Sequence, residues 1–143
     1  MKHKNIFGRI GYTSKKPELM DEPRGHETFH ITKHGDGKLT LRAHCEIEEP
    51  NPKVMRDVIL STDHKNRPMD CFIRLTVGDE FMGSGWFRFD LDETGDGIIE
   101  CESYGPSIDR ISPKQTTNGR FHSFGTHPIL SDGVHFNSFA ISN

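Results

Sequence analysis

The sequence predicts an all-β protein, an antiparallel meander forming a β-barrel or half-barrel, on three observations. From His26 onward apolar and polar residues alternate, as they do on a strand with one buried face. The alternating runs are separated by Asp-Gly or Gly-Asp turns at 35–37, 78–79, 95–97 and 132–133, the turn chemistry of hairpins. No window of about eleven residues keeps a helical period. A chain of 143 residues suits one core of ordinary size.

Residues 1–25 hold Pro17, Pro23 and scattered lysines without a sustained period, so an N-terminal arm or loose strand is expected, ordered only by docking. The barrel-like domain then covers 26–143. Strands are expected near 26–34, 38–48, 54–63, 69–77, 81–91, 98–104, 120–125 and 134–141. That is about eight, the smallest number that commonly closes around a ligand. If the weak stretch at 120–125 does not pair, an open edge is left. Open edges are covered or joined to another molecule, so a homo-oligomer or a covering second domain is expected, through an edge strand or the Phe72/Trp86 face.

Loop lengths fix the register, because a slip of one residue moves every side chain to the other face. With Gly35-Asp36-Gly37 as the first loop, Phe29, Ile31, Leu41, Ala43 and Cys45 share one face, while His26, Thr28, His30, Arg42, His44 and Glu46 share the other. A loop His64-Lys65-Asn66-Arg67 sets Asp57 opposite Arg74. A loop Gly78-Asp79-Glu80 sets Phe72 opposite Trp86 and Asp70 opposite Arg88. One face then carries Val58, Leu60, Cys71, Ile73, Leu75, Val77, Phe81, Gly83, Gly85, Phe87 and Phe89. The other carries Asp57, Asp70, Phe72, Arg74, Ser84, Trp86 and Arg88.

The segment FMGSGWFRFD at 81–90 holds the only tryptophan, yet two glycines interrupt it. Glycine inside a strand marks a bend, a bulge or a close approach. Gly83 and Gly85 between Phe81 and Phe87 therefore supply either curvature or a trough for a ligand lined by Phe81, Gly83, Gly85, Phe87, Phe89 and Ile73. The opposite face offers an alternative pocket, Asp57, Phe72, Arg74, Trp86 and Arg88, where arginine would meet an acidic or phenolic ligand.

Titratable residues suggest one further possibility. The segment RFHSFGTHPILSDGVHF brings His127, His135 and Asp132 together with His122 near a turn, candidates for general acid or base work. No metal is expected: His26 and His30 on one strand stand roughly 13 Å apart at about 3.3 Å per residue, too far to share an ion. Cys45, Cys71 and Cys101 form an odd set without CxxC spacing and are expected to be reduced core residues. The GDG turns lack a following helix and are not phosphate loops, and no cofactor pattern is present.

The meander with short Asp-Gly turns and an aromatic, glycine-interrupted strand resembles the lipocalin-like (calycin) β-barrels over residues 26–143. The family's Gly-x-Trp on an early strand is not reproduced, since GSGW places Trp86 directly after a glycine and mid-chain. No functional residue is carried over. The resemblance implies a cup for a small apolar molecule, with enzymes a minority of its members.

Net charge of −3 and a pI near 6.3 argue against nucleic acid or an anionic membrane as the main partner. No apolar run is long enough to span a bilayer and no hydrophobic signal region follows Met1, which leads us to expect a cytoplasmic protein. Three functions stay open: binding of a small hydrophobic or aromatic molecule, a cofactor-free lyase or isomerase using His/Asp chemistry or the Asp57–Arg74 pair, and a structural β domain that self-associates.

Overall fold

Short alternating runs joined by tight turns pair with their neighbours in sequence, because a crossover needs a longer connection. The computed structural model, which describes residues 2–48, 52–106, 108–111 and 114–117, has this arrangement. Nine strands form one antiparallel sheet: β1 Lys4–Thr13, β2 Pro23–Lys33, β3 Leu39–Ile47, β4 Val54–Thr62, β5 Pro68–Val77, β6 Glu80–Leu91, β7 Gly97–Gly105, β8 Ile108–Ile111 and β9 Lys114–Thr117. Strands β1 to β8 lie in chain order, and β9 also pairs with β7. Among the described residues the sheet does not close on itself, so it is a half-barrel. Pro17–Leu19 adds one 3-10 turn, and no helix among these residues is long and apolar enough to cross a membrane.

The register follows the alternation. Thr28 faces His44, Asp57 faces Arg74, Phe72 faces Trp86 and Asp70 faces Arg88. The turns differ in detail. Val77 pairs with Glu80, so only Gly78 and Asp79 lie in the β5–β6 turn, with Gly78 in the left-handed region at φ 62. The register then shifts between Leu75 and Thr76, a bulge that absorbs Met82 and restores the expected pairing from Leu75↔Gly83 onward. Its local effect is to place Phe81 opposite Thr76, on the face away from Gly83.

Leu41, Ala43, Val58, Leu60 and Cys71 are buried, with Phe29, Ile31, Ile73, Phe87 and Phe89 packed against them. The core therefore lies on one face of the central strands. Residues 4–13 form a full-length partner for β2. Its inward positions are Ile6, Gly8, Ile10 and Tyr12, and a side chain at Gly8 would collide with the Phe29 ring, which covers that glycine. Farther along the same face Tyr12 donates a 2.5 Å hydrogen bond to the buried carboxylate of Glu27. Burial, then that bond, push the Tyr12 phenol well above its ordinary pKa.

Candidate functional site

Unbroken register lines up outward side chains in rows across the strands, because residues opposite one another share a face. One row runs Phe7, His30, Arg42, Ile59, Phe72, Trp86 and Glu102, from β1 to β7. The adjacent row runs Arg9, Thr28, His44, Asp57, Arg74, Ser84 and Tyr104. Between the two rows lies a groove of about 470 Å³ whose outward lining is Phe7, Thr28, His30, Arg42, His44, Asp57, Ile59, Phe72 and Arg74. A smaller groove of about 290 Å³, lined by Ser84, Trp86, Glu102 and Tyr104, meets it at Phe72. The first row leaves large apolar surface in water: Phe7 is 72% exposed, Ile59 44%, Phe72 39% and Trp86 36%.

Polar contacts fix the groove's walls. His44 donates from Nδ1 to Asp57 Oδ1 at 2.6 Å, while its Nε2 lies 3.6 Å from Glu46 Oε1. Glu46 also pairs with His26, at 3.2 Å. Burial opposes the charged imidazole, but the hydrogen bond and charge of Asp57, followed by those of Glu46, outweigh it and raise the His44 pKa. His30 stacks on Phe7 with ring centroids 4.2 Å apart, and its Nε2 lies 2.9 Å from Asn5 Oδ1. Arg42 donates to Thr32 Oγ1 at 3.2 Å. The Arg74 guanidinium covers the Phe81 ring at 4.2 Å.

Of the residues expected in the alternative pocket, Asp57, Phe72 and Arg74 line the main groove and Trp86 the smaller one. Arg88 lies over Trp86 at 5.5 Å and donates to Glu100 at 3.1 Å. The facing pairs Asp57/Arg74 and Asp70/Arg88 exist in register, but the ion pairs expected of them are replaced by His44–Asp57 and Arg88–Glu100. In the apolar set, Ile73, Gly83, Gly85, Phe87 and Phe89 face inward, whereas the bulge turns Phe81 outward beneath Arg74. The space beside Gly85 is taken by Phe87, whose ring would lie 3.3 Å from an added methyl group. His127, Asp132 and His135 lie outside the described residues, as does His122.

Phe7, His30, Arg42, His44 and Ile59 join the groove beyond the residues expected from the sequence. Burying both Leu41 and Leu60 puts Arg42, His44, Asp57 and Ile59 on one outward face, and the observed register sets His44 opposite Asp57 and Arg42 opposite Ile59. Among the described residues no group of three or more His, Cys, Asp and Glu could hold a metal ion. No family model matches this sequence, and no curated protein or solved structure is similar enough to it to count as a match.

Proposed function

We propose that the protein binds a small hydrophobic or aromatic molecule in the groove on the outward face of its half-barrel. The observation that carries this is the 470 Å³ groove with Ile59 and Phe72 side by side in its lining. Ligand pockets typically span about 300–1,000 Å³ and combine apolar surface with a few polar groups. Apolar surface left in water is unfavourable, and a bound ring would cover it. This reading puts the ligand on the opposite face from the glycines, whose side of the sheet carries the packed Phe29, Ile73, Phe87 and Phe89.

A neutral naphthyl dye, N-phenyl-1-naphthylamine, tests the proposal through its own fluorescence and that of Trp86, which adjoins Phe72 in the row. Saturable binding is expected, weakened at least about tenfold by Ile59→Asn or Phe72→Ala, since each removes much of a side chain's worth of apolar contact. Both residues are exposed, so thermal melts of the variants should stay close to the parent. Affinity that ignores both substitutions would sink this reading.

The alternative, a cofactor-free lyase or isomerase, is favoured by one feature. Asp57 orients the His44 imidazole from Nδ1, as an orienting carboxylate does for a general base. Under this reading His44→Gln would abolish turnover of a bound carbonyl or phenol substrate while leaving its binding in place. Turnover equal to the parent's in that variant rules out His44 as the base.

A further inference from the structure

The groove's charge runs against that of the whole molecule. The chain has a net charge of −3, yet the groove is lined by Arg42, Arg74, His30 and His44 with Asp57 as the one carboxylate among its lining residues. Asp57 is moreover engaged elsewhere. It faces Arg74 across the β4–β5 pair, but its Oδ1 accepts from His44 on the other side at 2.6 Å. Glu46 likewise turns to His26 and His44.

Among the described residues Arg74 makes no ion pair, and its guanidinium carbon lies over the Phe81 ring, 4.2 Å from the centroid. That contact restrains the side chain without using its N–H donors on a carboxylate, and a guanidinium fork so left suits bidentate recognition of an acidic group. Arg42, which among the described residues bonds a threonine hydroxyl and no carboxylate, lies two strands away and one row across, about 12 Å from Arg74 by strand spacing. Ile59 and Phe72 lie between them.

We infer that the groove's ligand is an amphipathic anion, an aromatic or apolar body laid over Ile59 and Phe72 with an acidic group bound by Arg74 and assisted by Arg42. This rests on the binding reading above and adds the ligand's charge class. His44 strengthens the attraction when protonated, and Asp57, held by it, does not compete for Arg74.

Two dyes with the same ring system separate the inference from the reading beneath it. One is 8-anilino-1-naphthalenesulfonate and the other its neutral counterpart, N-phenyl-1-naphthylamine, each titrated into the full chain at low and high salt. The sulfonate is expected to bind more tightly, with an affinity that falls as salt rises. Arg74→Gln should weaken the sulfonate about tenfold, Arg42→Gln less, and both should weaken the neutral dye far less than the sulfonate. Arg74→Lys, which keeps the charge but not the fork, should fall between parent and Arg74→Gln, and it serves if the glutamine variant does not fold. Equal affinity for the two dyes overturns the anion inference and leaves the binding reading standing, as does sulfonate binding that both arginine variants preserve. The inference also fails if Arg74→Gln weakens both dyes alike, since Arg74 would then act only as packing. If neither dye binds, or Ile59→Asn leaves both affinities unchanged, inference and reading fail together.

Discussion

The imidazole of His44 sits between two carboxylates, 2.6 Å from Asp57 and 3.6 Å from Glu46, and both favour its charged form. Its pKa is held above the ordinary 6.5 in the folded protein. A group raised in this way contributes stability that is fully present below the unfolded value and lost as pH rises through the folded one. We therefore expect Asp57→Asn to lower the His44 midpoint in an NMR titration and to destabilise the protein most below about pH 6.5. The stability difference should shrink at higher pH. The side chains of His44 and Asp57 are 38% and 50% exposed, so solvent screening keeps the loss within about 1 kcal/mol. An unmoved midpoint would remove Asp57 as the cause. The pair was not legible in the sequence because alternation fixes only the face that His44 and Asp57 share, and the Pro50-Asn51-Pro52 run between β3 and β4 is turn chemistry that does not set a loop length. The sequence places Asp57 opposite Arg74, whereas its second neighbour, His44 across β3, is fixed only by the register of the folded sheet.

At the scale of one element, β6 explains why glycines interrupt an aromatic strand. A methyl group at Gly83 would lie 3.1 Å from the carbonyl oxygen of Tyr104, a backbone atom of β7. One at Gly85 would meet the edge of the Phe87 ring at 3.3 Å, and a ring can turn. Alanine in a strand interior otherwise gains about 0.5–1 kcal/mol over glycine. Gly83→Ala should thus be destabilising by about 1–3 kcal/mol, as for an overpacked contact, while Gly85→Ala should be close to neutral in a thermal or urea melt. The reverse order would mean that β6 and β7 are free to separate at Gly83. Gly85→Val offers a second check, since dye affinity lost in a stably folded variant would return the ligand to the inward face. The β6 pattern was legible from Gly83 to Phe89, where alternation is strict. Phe81 was not, because a two-residue turn followed by a bulge and a three-residue turn without one give the same register downstream and differ only at the turn. β1 was obscured in another way: its inward Gly8 makes room for Phe29, so the apolar series is broken at the place where a neighbouring strand fills it.

Across the whole molecule, three thiols on the inward face report whether the sheet opens as one unit. Cys45 on β3 and Cys71 on β5 are 1% and 0% exposed, whereas Cys101 on β7 is half-buried. Desolvation, with a smaller effect of Asp70, pushes the Cys71 thiol up to about 12, and burial also raises Cys45. Thiolate is the reactive form, so neither can be labelled from the folded state at neutral pH. We expect a disulfide reagent to modify Cys101 first in native protein. Cys45 and Cys71 should react later and together, at a rate set by unfolding, with one shared urea dependence. That coincidence follows from the core, in which Leu41, Val58, Leu60 and Cys71 pack across β3, β4 and β5, so that opening any one of these strands exposes side chains of the other two. Proteins open in cooperative units bounded by such packing. Quantifying each labelled cysteine by mass spectrometry after graded urea exposure separates the outcomes. Labelling of Cys45 at clearly lower urea than Cys71 would show that β1 to β3 open independently of β4 to β7. The groove, which draws on β1 through β5, would then be built across a boundary between two units.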